Sequence, residues 1–216
     1  MKKYLFISLA ALMMAGLLNA QSQYKAGDIA SDFKLKNVKG ETVSLSDIKD
    51  TDGFIVAFWC NTCPVVKKYD LRLQELHARY APKGYPVVAI NSNDPAVSPG
   101  DSFEKMKETA VKLNYKFEYL FDETQEVARR FGATNTPHIY ILTWKDGRLV
   151  VDYVGAIDNN ADDASATEKK KAEDEKAELE GLPDPVLNKD LIRDEIVKKV
   201  IDELLADGQF ARPEII

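Results

Sequence analysis

The chain has 216 residues, 45% of them hydrophobic, and a formal net charge of −6. That length accommodates one ordinary domain with a sizeable core. The acidic balance speaks against electrostatic binding to nucleic acid or to an anionic membrane surface.

The chain opens MKKYLFISLAALMMAGLLNAQ. Lys2 and Lys3 form a positive start, Tyr4 to Leu18 an apolar run, and Leu18-Asn19-Ala20 a small-residue cleavage site. We read residues 1–20 as a secretory signal peptide rather than an uncleaved anchor, because the apolar run is short and no stop-transfer pattern follows. No cysteine follows the apolar run, which speaks against a lipoprotein. The expectation is an exported protein, periplasmic or extracellular, whose residues 21–216 form one domain without stable membrane insertion. Losing Lys2 and Lys3 leaves 27 basic and 35 acidic side chains, a net charge of −8.

Past the leader, DFKLKN and ETVSLS alternate around Lys39-Gly40, an expected hairpin. FIVAFW is a continuous apolar run, as in a strand buried on both faces. From Pro64 the period turns helical, with Val66, Tyr69, Leu73, Leu76 and Tyr80 on one face and Gly84 as the stop. YPVVAINS reads as a second buried strand and NDPAVSPGD as a loop. Asp101, with Glu104 three residues on, is expected to cap a helix lined by Phe103, Met106, Ala110 and Leu113. FEYLF reads as a strand and ETQEVARRFG as a short helix closed by Gly132. HIYILT and RLVVDYVG read as strands joined by a tight turn at Asp146-Gly147. After Gly155 a charge run, about residues 161–181, reads as a solvated helix or insertion rather than a partner-binding arm. Leu191 to Leu205 carries an Ile/Val/Leu stripe and is expected to dock on the sheet. This order of elements implies an α/β fold, a central mixed sheet with helices on both faces.

Both cysteines of the chain, Cys60 and Cys63, lie in AFWCNTCPVVKKY. Pro64 suits the first helical turn, which makes Cys63 the expected N-cap. A sulfur there faces unpaired N–H groups and the positive end of the helix dipole, which favours thiolate over thiol. Cys63 is therefore the expected nucleophile and Cys60 the resolving thiol. A structural disulfide is the plain alternative for an exported pair, but a loop of two intervening residues removes little unfolded-state entropy. Thr136-Pro137 stands just before a strand, where an X-Pro bond is a candidate cis peptide.

FWCNTCPVVK, VVAINSND, SFEKMKETA, YLFDETQEVARRFGATNTP and YVGAIDNN, taken in that order over roughly Ala26 to Asn160, resemble the thioredoxin superfamily. The similarity is to the bacterial peroxiredoxin-like branch of its redoxin group. The resemblance implies a thioredoxin-like fold, thiol redox chemistry, and Thr136 and Pro137 presenting backbone to a substrate, with Trp59 and Pro64 as neighbouring substrate contacts. Implied partners are protein or small-molecule disulfides or thiols, peroxides as further substrates, and an exported thiol reductant; no cofactor is called for. Three features depart from the family. Val66 stands where the usual second cysteine would follow Cys63. Ala57 stands where thioredoxins carry a buried acid. Val56 and Cys60 replace the Pro and Thr that precede a peroxidatic cysteine, and the activating arginine has only Arg129, Arg130 and Arg148 as candidates. A second reading is a copper-delivery module, with Cys60, Cys63 and His138 as ligands. His77 is expected at the surface of its helix.

Overall fold

A run of six apolar or small residues with no polar interruption can only be accommodated between two layers. In a computed structural model, which describes residues 23–158 and 196–206, such a run forms the central strand, Gly53–Phe58, buried at every position. In chain order the strands are β1 (Ile29–Ala30), β2 (Lys34–Asn37), β3 (Thr42–Ser44), β4 (Gly53–Phe58), β5 (Val87–Asn91), β6 (Glu118–Phe121), β7 (His138–Lys145) and β8 (Arg148–Gly155). The helices are α1 (Pro64–Tyr80), α2 (Phe103–Lys112), α3 (Glu126–Phe131) and α4 (Ile196–Ala206). The strands join one mixed sheet in the order β1-β8-β7-β4-β5-β6-β2-β3. β4, β5 and β6 run parallel, and β7 is antiparallel to β4. This is the expected thioredoxin-like arrangement.

Side chains alternate across a strand, and β4 shows it. Phe54, Val56 and Phe58 enter one core with α3 residues Val127 and Phe131. Ile55 and Ala57 enter the other, with Trp59 and the buried faces of α1, α2 and α4. The α1 stripe expected from its period, Val66, Tyr69, Leu73, Leu76 and Tyr80, is buried throughout. The chain leaves α1 through a short 3-10 turn that ends at Gly84, φ 86°. The N-terminal segment covers both sides of the sheet. β2 and β3 pair as the expected hairpin and β2 then adds to β6, while β1 adds to β8. The exposed N–H and C=O rows of β6 and β8 are thereby paired. The β7–β8 turn places Asp146 at φ 51° and Gly147 at φ 72°, both left-handed as a two-residue hairpin of this type requires.

Two expectations are corrected. Ser102, not Asp101, caps α2, its side chain accepting from the Lys105 N–H at 3.4 Å. Asp101 turns inward, fully buried, because five donors converge on it there. His77 is half-buried: its Nδ1 accepts from the Val87 N–H at 3.2 Å, tying α1 to β5. The leader (1–20), the charge run (161–181) and residues 191–195 of the expected last helix lie outside the described residues.

Candidate active site

β4 ends at Phe58, and the next five residues carry both thiols before α1 begins at Pro64. Cys63 is the N-cap residue, at φ −65° and ψ 124°, and its carbonyl accepts the Lys67 N–H at 3.2 Å. Proline at the following position needs no N–H partner, so the turn can start without an orphaned donor. Cys60 is 2% exposed and Cys63 half-buried.

The two sulfurs meet on one residue of a distant loop. Cys60 Sγ lies 3.1 Å from the Thr136 hydroxyl. The Cys63 thiol donates to the Thr136 carbonyl at 3.4 Å. The Thr136–Pro137 bond is cis, as the sequence suggested. Burial pushes the Cys60 thiol up, and the nearby Asp101 charge adds to this. Hydrogen bonds from Thr136 and from the Cys63 backbone pull in the other direction without cancelling it.

Under the turn lies a polar layer. The Asp101 carboxylate accepts from the Asn61 N–H at 2.6 Å, the Thr62 hydroxyl at 2.6 Å and the Ser98 hydroxyl at 2.6 Å. It also accepts from the side-chain amides of Asn91 and Asn93, at 3.2 and 2.9 Å. Tyr119 donates to Asn61 Oδ1 at 2.9 Å. Burial pushes the Asp101 carboxyl up, but the hydrogen bonds from Ser98, Thr62, Asn93 and Asn61 outweigh it and leave it below its ordinary value. Two openings flank the thiol turn. A groove of about 570 Å³ is bordered by Cys60, Asn61, Lys67, Asp70 and Tyr115. A cleft of about 430 Å³ is bordered by Ser92, Asn93, Arg129 and Thr136.

Of the expected substrate contacts, Thr136, Pro137 and Pro64 reach the surface beside Cys63. Trp59 does not: it is 1% exposed and packs in the core shared with α1. The expected copper set is not brought together. His138 pairs opposite Phe58, on the α3 side of the sheet, and its ring lies 4.8 Å from that of Tyr140. Cys60 packs on the α1 side, because the chain has left β4 at Phe58 and the turn no longer follows the alternation of the strand. Among the described residues no group of three or more His, Cys, Asp or Glu side chains is placed to hold a metal ion.

The candidate arginines are spread apart. Arg129 borders the cleft with Thr136, and its Nη2 donates to the Thr124 carbonyl. Arg130 donates to the Asp32 carbonyl and Glu126. Arg148 begins β8 at the end of the sheet away from the thiols. Sequence reasoning missed Asp101, Asn61, Thr62, Asn93 and Tyr119 as members of one layer. Only the crowding of Asn, Ser and Asp in NSNDPAVSPGD hinted at it.

The sequence profile of the AhpC/TSA family matches residues 26–159, more than half of the chain. An uncharacterized conserved protein from Geobacillus kaustophilus is similar in structure, with 38% identity, a TM-score of 0.61, and 76% of this chain and 87% of that one covered. The thioredoxin domain of a thiol-disulfide oxidoreductase from Bacteroides vulgatus shares the fold at 20% identity and a TM-score of 0.50, over 69% of this chain and 99% of that one. The thiol-disulfide oxidoreductase ResA of Bacillus cereus is 21% identical over 140 residues, 65% of this chain and 76% of its own length.

Proposed function

The chain belongs to the AhpC/TSA family and is a thioredoxin-fold oxidoreductase of the thiol–disulfide class, and from that premise we propose that it exchanges disulfides through Cys63 as attacking sulfur and Cys60 as resolving sulfur. The observation that carries this reading is the convergence of both sulfurs on Thr136. Cys63 is the more exposed of the two and is the N-cap residue of α1, where its sulfur makes no side-chain cap hydrogen bond and turns to the Thr136 carbonyl instead. Its sulfur attacks one sulfur of a substrate disulfide. A Cys63–substrate disulfide forms, and the other substrate half leaves as a thiolate that takes a proton. Cys60 Sγ then attacks Cys63 Sγ. The Cys60–Cys63 bond forms, the mixed bond breaks, and the Cys60 proton passes to the departing thiolate. The dithiol is oxidised and the substrate disulfide reduced, with atoms and electrons balanced.

Thr136 and Pro137 border the surface beside Cys63 and present backbone on which an extended substrate segment can lie. Protein or small-molecule disulfides are the substrate class, and a thiol reductant restores the dithiol. The leader reading of residues 1–20 puts this chemistry outside the cytoplasm, a placement checked by the N-terminal residue of the mature protein. Peroxide is a further substrate by family kinship. With Val56 and Cys60 in place of the usual Pro and Thr, it is expected to react more slowly than a disulfide. A copper role is less well supported, since His138 and Cys60 occupy opposite faces.

Single variants test the division of labour. Cys63→Ser should abolish reduction of a protein disulfide. Cys60→Ser should still attack and then stall, accumulating mixed disulfides visible by mass. A Cys63→Ser protein that keeps its activity would reverse the roles. Full activity in both variants would remove the dithiol from the chemistry.

A further inference from the structure

Four residues from Cys60 to Cys63 must form a turn that keeps one sulfur within reach of the other, and a turn has few hydrogen bonds of its own. Here the restraint comes from a segment about forty residues away along the chain. The loop from Ser98 to Asp101 is pressed against the turn. The Gly100 carbonyl accepts from Asn61 Nδ2 at 2.9 Å, and a side chain at Gly100 would meet the Thr62 methyl at 2.6 Å. Behind it, the Asp101 carboxylate accepts from both residues that separate the cysteines, Asn61 and Thr62. It is fully buried and takes three more donors, Ser98, Asn91 and Asn93.

An ionised carboxylate this deep persists only because donors surround it. Two of the five donors belong to the reactive turn. β4 itself carries no carboxylate, so Asp101 is a buried carboxylate that reaches the turn from a different element.

We propose that Asp101 is a positioning residue for the dithiol, gripping the Asn61–Thr62 turn so that Cys60 Sγ is held for attack on a disulfide at Cys63. This rests on the dithiol exchange proposed above, of which it concerns the second step: the Cys60–Cys63 bond forms, the Cys63–substrate bond breaks, and the Cys60 proton goes to the departing sulfur. The grip has an electrostatic consequence. Burial is the main reason the Cys60 thiol is pushed up, and Asp101, a like charge to its thiolate, adds to it. The other titratable groups around Cys60 are Cys63 on the turn, Tyr119 from β6, Lys67 and Asp70 from α1, and Tyr115 ahead of β6.

A coloured nitrobenzoate disulfide reports the two steps separately, because attack releases one thiolate and closure a second. In Thr62→Val, an exposed-site variant that removes one turn donor and leaves the charge, the first release should be unchanged and the second about three- to tenfold slower. An unslowed second release overturns the proposal. In Asp101→Asn, the pH midpoint for alkylation of Cys60 in the reduced protein should fall, because one of the influences holding that thiol up is removed. A folded Asp101→Asn protein with an unmoved or raised midpoint also overturns it, since the grip holds the carboxylate charge close to the Cys60 sulfur. If Asp101→Asn does not fold, Thr62→Val decides. The reagent accepts any thiol, so failure of the exchange reading on protein disulfides leaves both measurements intact.

Discussion

Thr136 touches Cys60 through its hydroxyl and Cys63 through its carbonyl, so the two contacts can be removed independently. Thr136→Val deletes the first and keeps the second. The hydroxyl opposes the effect of burial on Cys60. Without it Cys60 ionises less readily, and closure should slow about five- to tenfold while the first attack is unchanged. Thr136→Ser should restore the rate. Rapid quenching, with the mixed disulfide followed by mass, checks both. At this scale the two cysteines, Thr136 and Pro137 were legible because their signals are local: a proline after Cys63, and a Thr-Pro pair before an apolar strand. Asp101 was not. Its partners Asn61 and Thr62 lie 40 and 39 residues away, and nothing in the spacing of NSNDPAVSPGD distinguishes a helix cap from a carboxylate folded back under a turn. Trp59 misled for the converse reason. Adjacency to Cys60 says nothing about whether a side chain reaches the surface, and Trp59 is buried in the same core as Cys60.

At the scale of elements, α1 supports the site through its packing. His77 accepts from the Val87 N–H with Nδ1, and burial is the largest influence on it, lowering its pKa from the model-peptide value of 6.5. His138 is lowered likewise by burial. The folded protein binds fewer protons at these two rings than the unfolded chain. Their contribution is therefore complete above about pH 6.5 and lost as pH falls through the lowered folded values. Thermal melting followed from pH 7.5 to 5 should show a falling midpoint, and His77→Gln should flatten part of that fall. A slope unchanged in His77→Gln would contradict it. On the same face, α4 buries Val197 and Ile201 completely against the core that holds α1. Tyr80 also donates to the Lys198 carbonyl at 3.3 Å and to Asp202 at 3.1 Å. Ile201→Ala should cost about 2–5 kcal/mol in denaturant unfolding, with the dithiol chemistry retained below the transition. The Ile/Val/Leu stripe of this helix was plain in the sequence, since burial on one face leaves a 3.6-residue period. The cap of α2 was not, because Asp101 and Ser102 are both good capping residues and only the inward pull on Asp101 separates them.

For the whole molecule, the apolar runs fixed the order of strands and helices, and the pairing followed from it. What the runs could not disclose is that the segment from Ile29 to Ser44 pairs at both sides of the sheet, through β1 on β8 and β2 on β6. Short polar-alternating strands such as KLKN fit several neighbours equally well. The charge run at 161–181 holds almost no large apolar residue, so it has little to bury. Its deletion should leave disulfide exchange at the wild-type rate, and a large loss would show that it takes part. The dithiol is the centre of all these expectations, and its equilibrium with a glutathione or dithiothreitol redox buffer tests it most directly. A catalytic Cys60–Cys63 pair should have a reduction potential well above about −300 mV, while a value below that would make the bond a structural disulfide and contradict the exchange function.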